Sequence, residues 1–146
     1  MAETTYKKLD LALELLNEAI RQLLDHKSFA CALSLAGSAE EILGKTIELR
    51  GGVSSLEQRV KDHLMIASAF GSTTLTEKQS KWRLNFAKNA IKHLDGANDE
   101  EITVDLEDEA IDMLGRAAHN VILLQLPYTN ELRRFDDWYV ENCVGA

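Results

Sequence analysis

Apolar residues recur along this chain at the three- and four-residue spacing of a helix face, with no alternating strand pattern and no internal repeat. Leu9, Leu13, Leu16, Ile20, Leu23 and Leu24 form the first stripe and predict a helix over about Thr5 to Asp25. A second helix can start after Ser28 as N-cap and stop before Gly51-Gly52, a pair suited to the left-handed turn that ends a helix. The third, from about Ser55 to Phe70, stops at Gly71. In "STTLTEKQ", Thr76 followed three residues later by Gln79 is a capping box, and it opens a fourth helix over about Glu77 to Leu94 with Gly96 just beyond. The acidic run "DGANDEEITVD", residues 95–105, lacks the ligand spacing of a calcium loop and reads as a solvated connector. A fifth helix, from about Leu106 to Gln125, is stopped by Pro127, and "TNELRRFDDWYVEN" predicts a short sixth that docks Phe135, Trp138 and Tyr139. Short connections favour antiparallel neighbours. The pattern therefore predicts an all-α, antiparallel up-and-down bundle of four to five main helices plus a short C-terminal helix. It forms a single domain, 1–146, with its core over about 5–125 and a docking tail at 128–146.

Composition narrows the function. The 146 residues are 45% hydrophobic with a single proline, a helix-friendly balance. A formal charge of -8 excludes a protein that coats nucleic acid with its whole surface, and leaves room only for a local basic site. Cys31 and Cys143 have no CxxC spacing, and no charged-then-apolar leader opens the chain, which predicts reduced thiols in a cytoplasm. Charges interrupt every apolar run before the roughly 18 residues a membrane span needs, so no membrane is expected. No zinc, dinucleotide, P-loop or serine-hydrolase motif occurs, and the Glu-x-x-His pairs of a metal-carboxylate bundle are missing, so neither a metal nor a cofactor is expected.

Two polar constellations fall on apolar faces. At about 100° per residue Glu40 lies close to Leu33, Ala36, Gly37, Gly44 and Ile47. A carboxylate there needs a partner, and Gly37 and Gly44 would let another helix approach it closely. On the fourth helix Trp82, Phe86, Asn89 and His93 line one side, continued by Arg83, Ala87, Ala90, Ile91 and Leu94 as the predicted inward arc. Lys78, Lys81, Asn85, Lys88 and Lys92 gather on the predicted wet side. Arg83 is read as the partner of Glu40 in a structural ion pair. Residues 77–93 hold five Lys or Arg against one Glu, which reverses the sign of the chain and makes this helix the place to meet an anion.

Lys88-Asn89-x-x-x-His93, late in an all-α bundle, resembles the Arg-x4-6-His motif of the HEPN superfamily, in which Asn, Asp or His commonly follows the arginine. "LAGSAEEILGK", residues 35–45, is similar to the acidic second-helix segment of several HEPN branches. The resemblance covers most of residues 5–125. It implies a homodimer whose motifs meet across a two-fold axis, and either a weak metal-independent ribonuclease or a catalytically degenerate relative in a toxin–antitoxin or phage-defence setting. RNA or a nucleotide is then the ligand, and a nucleotidyltransferase-type antitoxin a partner. His93 would be the general base or acid for attack by a ribose 2'-OH, Asn89 would orient the phosphate or the imidazole, and Lys88 would stabilise charge on the phosphorane. Lys92, Lys81 and Asn85 would contact substrate. Lys88 offers one mobile point charge where the family's arginine offers a planar fork, and it lies about 140° around the helix from His93. The alternative is a non-catalytic helical interaction or nucleotide-binding module. A changed His93 separates the two, since only an enzyme would lose RNA cleavage.

Overall fold

The computed structural model describes residues 1–72 and 74–145, and among them every regular element is helical. Thr73 of the loop before the fourth helix and Ala146 at the end of the tail lie outside the described residues. The order is α1 (Lys8–Leu24), α2 (Phe29–Leu49), α3 (Ser55–Ala69), α4 (Glu77–Ala90), α5 (Leu106–Leu123) and α6 (Asn130–Tyr139), the last running into a π-helical turn over Val140–Val144. This is an all-α bundle of five main helices and a short C-terminal one. α1 begins at Lys8 rather than near Thr5, because the seven residues before it are exposed and gain nothing from packing.

α2 is the central helix, packed on α1 along one side and on α5 along the other. Its inward positions include Ala32, Ala36 and Ala39, and small residues there let both neighbours approach closely. Leu16, Ile20, Leu33, Leu43, Leu114 and Val121 fill the space between them and are fully buried. Each such side chain contributes about 1.5–3 kcal/mol of burial free energy. α2 ends in a Schellman motif: Gly51 takes φ +80°, its N–H donates to the Glu48 carbonyl, and the Gly52 N–H donates to the Ile47 carbonyl at 2.9 Å. α3 ends the same way at Gly71. At the start of α4, Thr76 and Gln79 form the reciprocal capping box that the spacing predicts. α4 nevertheless stops at Ala90, short of Leu94, because Asp95 and Asp99 build a turn of their own, in which the Asp95 N–H donates to the Asp99 carboxylate.

The α3–α4 hairpin is a thin outer layer. Among the described residues Val60 and Ala87 are its buried apolar side chains, and Ser55, Ser80 and Lys88 are buried beside them. α6 lies against α1 through Leu132 and Phe135, while Trp138 is half-buried and Tyr139 exposed. Its N-cap Thr129 accepts from the Leu132 N–H and donates to Asn17 of α1 at 2.7 Å, and Arg134 pairs with Asp25 beyond the end of α1. The hydrogen bond from Arg134 holds the Asp25 carboxyl below its ordinary range. Because that pKa is lowered on folding, the pair contributes above the usual carboxylate range and is lost as pH falls through it. The difference in melting temperature between the wild type and Arg134→Ala should therefore shrink from neutral pH to about pH 3; a gap that stays constant would exclude Asp25 as the linkage.

Candidate functional site

The main polar feature of the molecule is a buried network between α2, α4 and α5. Arg116 of α5 is fully buried. Its Nη2 donates to Glu40 Oε1 and to Asn85 Oδ1, both at 2.9 Å, and its Nη1 donates to the Leu84 carbonyl at 2.8 Å. One turn on, Asn120 Oδ1 accepts from the Ser55 N–H at 2.9 Å and so fixes the start of α3 to α5. His63 Nδ1 and Ser80 Oγ, 3.1 Å apart, join α3 to α4. A buried guanidinium is tolerable only with its charge and donors met, and Glu40, Asn85 and a backbone carbonyl do most of that. Arg116 Nε and Asn120 Nδ2 stay buried without a hydrogen-bond partner among the described residues.

This corrects the predicted ion pair. The partner of Glu40 is Arg116, and Arg83 is exposed. Arg116 occupies an inward position between Met113 and Ala117, so a charged residue inside the apolar arc of the fifth helix was the signal to follow.

α4 also faces the bundle differently from the prediction. Its buried side carries Ser80, Ala87 and Lys88, with Asn85 half-buried, whereas Trp82, Phe86, Asn89 and His93 face outward. The reason is close approach. The Lys88 stem crosses α2 at Gly37, where a Cβ would lie 2.5 Å from Lys88 Cδ, and bulky aromatics have no room on that side. Lys88 is 5% exposed rather than wet, and its Nζ lies 3.5 Å from Glu41 and 3.9 Å from Glu40. The cation predicted for the phosphorane thus lies near two carboxylates, on the side of α4 away from His93.

The motif residues of α4 border two different hollows. A polar cleft of about 350 Å³ lies between α2, the start of α3 and α4, and Lys81, Asn85, Lys88 and Asn89 line its α4 side. On the outer face, a hollow of about 230 Å³ is lined by Trp82, Phe86, Asn89, Ala90, His93 and the two aspartates of the following turn. Lys88 and His93 therefore do not share a hollow, and Asn89 is the ridge between the two. Lys92, past the end of α4, is exposed and lines neither. The outer rings are well presented: Trp82 is 61% and Phe86 37% exposed, with centroids 5.2 Å apart and planes tilted by 54°. Lys78, Lys81, Arg83 and Lys92 are all exposed along the same helix and its end.

Among the described residues no three His, Cys, Asp or Glu side chains gather to hold a metal ion, and no helix is long and apolar enough to cross a membrane. The chain matches no family model, no curated protein and no solved structure.

Proposed function

We propose that this chain is a HEPN-like bundle that binds single-stranded RNA on the outer face of α4 and does not cleave it. The observation that carries this reading is the division of the motif between two sides of one helix. Lys88 is buried against Glu40 and Glu41, while Asn89 and His93 are exposed beside Trp82 and Phe86. With Lys88 in the other hollow, the cation that the motif would supply to the phosphorane is not beside His93, and one positioned donor is worth about 2.7–4 kcal/mol of transition-state stabilisation.

Binding makes no such demand. Exposed aromatic rings give bases a surface to stack on irrespective of sequence, at about 1–3 kcal/mol per base, and lysines and arginines beside them track the backbone. The exposed Lys78, Arg83 and Lys92 provide that charge on a chain whose net charge is -8. An exposed tryptophan and phenylalanine in contact with each other also form the kind of surface patch that marks an interaction site.

The cleavage half of the proposal is tested by incubating a mixed-sequence RNA with the purified protein in EDTA, alongside His93→Ala. The RNA should stay intact in both. Cleavage by the wild type that disappears in His93→Ala would overturn the non-catalytic reading and would return the protein to the metal-independent ribonucleases.

A further inference from the structure

The polar cleft on the inner side of α4 is separate from the aromatic face and has its own chemistry. We propose that it is a phosphate-binding site, with Lys88 and Lys81 as its cations and the first turn of α3 as its backbone donor. The inference draws on the RNA-binding reading only for where the phosphate comes from.

Donors without a close acceptor lie along the α4 wall of this cleft. Lys88 is nine-tenths buried, yet both of its ion-pair distances, 3.5 and 3.9 Å, exceed the roughly 2.7–2.9 Å of a charge-assisted hydrogen bond. Its ammonium donors are therefore available on the cleft side. Lys81 lines the same wall and makes no salt bridge among the described residues. Asn85 spends its oxygen on Arg116, which leaves its NH2 group to donate.

The start of α3 adds to this. Ser54 caps the helix, the Ser55 N–H is taken by Asn120, and the Glu57 N–H by Ser54 Oγ. Leu56, which lines the cleft, is the second residue of the helix, where a backbone N–H has no intrahelical acceptor. That terminus carries the positive end of a fifteen-residue helix. Behind it, the unpartnered Nδ2 of fully buried Asn120 points at the cleft wall formed by Gly44, 3.3 Å from where a Cβ would sit.

Two of the three carboxylates in the cleft are hydrogen-bonded, and the third stands out in solvent. Glu40 is bonded to Arg116, Glu48 accepts from Lys45 and Ser54, and Glu41, 69% exposed, leans out over Lys88. Three lysines face three glutamates there, and Arg116 behind Glu40 leaves one positive charge over. One phosphodiester would match it. A volume of about 350 Å³ is at the small end for ligand sites, enough for a single nucleotide unit. Asn89 lines both this cleft and the aromatic hollow and is the side chain that the two share.

The test is an amide NMR titration of the full chain with inorganic phosphate, then with uridine 5'-monophosphate, then with a trinucleotide that has no terminal phosphate. Saturable shifts are expected at the Leu56 amide and the Asn85 side-chain amide. Lys88→Met should weaken phosphate binding at least about tenfold. Lys81→Ala, which touches no buried contact, should weaken it about threefold. Tighter binding of the trinucleotide assigns the site to a backbone phosphate, and tighter binding of the mononucleotide to a terminal one. Absent shifts at Leu56, or equal affinities for wild type, Lys81→Ala and Lys88→Met, would overturn the proposal. The two readings also fail separately: cleft shifts without RNA binding retire the RNA reading alone, and RNA binding without cleft shifts retires this site alone.

Discussion

Replacing Arg116 with alanine is expected to lower stability by about 3–5 kcal/mol, the usual cost of stranding a buried charge. The change removes the donors that meet Glu40 Oε1, Asn85 Oδ1 and the Leu84 carbonyl, and leaves a cavity where three helices meet. Lys88 remains near Glu40, but at 3.9 Å it makes no close hydrogen bond to it. Urea unfolding followed by circular dichroism measures the loss. The double variant Arg116→Leu/Glu40→Leu should recover much of it, because removing both charges abolishes the desolvation penalty that one alone leaves behind. A loss below about 1 kcal/mol in Arg116→Ala would show that Lys88 satisfies Glu40 unaided.

The second large effect is expected at Gly37. On helix propensity alone, Gly37→Ala in the middle of α2 should stabilise by about 1 kcal/mol. The geometry reverses the sign. The added Cβ would sit 2.5 Å from Lys88 Cδ and 2.7 Å from Lys88 Cγ, so the Lys88 stem must leave its groove or α4 must move off α2. Overpacking of this kind costs about 1–3 kcal/mol. The diagnostic is a double-mutant cycle. In a Lys88→Ala background the obstructing atoms are gone, and Gly37→Ala should become neutral or stabilising. A destabilisation of equal size in both backgrounds would mean that the Lys88 stem does not occupy this groove.

Much of the fold is legible in the spacing of apolar residues and in stop signals. Gly51-Gly52, Gly71 and the Thr76–Gln79 box mark real boundaries because each acts locally, through a left-handed residue or a reciprocal cap. The face of α4 is a different matter. Trp82 and Phe86 are its largest apolar side chains and draw a helical plot toward them, yet they remain outside, because the close crossing at Gly37 admits only small residues and a thin aliphatic stem. Lys88 looks solvated in sequence for the same reason: its stem is apolar enough to be buried while its head reaches the cleft. Glu40 announces that it needs a partner but not which helix provides it. That choice depends on how α4 and α5 sit across α2, which periodicity does not encode, and Arg116 fills the place expected for Arg83.

The proposed role of the outer face of α4 is to bind single-stranded RNA through its exposed rings. The measurement that tests it most directly is fluorescence anisotropy of a labelled single-stranded oligoribonucleotide titrated with wild type and with Trp82→Ala, at two salt concentrations. Binding should weaken as salt rises and fall by about tenfold in Trp82→Ala, while the melting temperature stays close to wild type because Trp82 is exposed. No binding by the wild type, or equal binding by the two proteins, would contradict it.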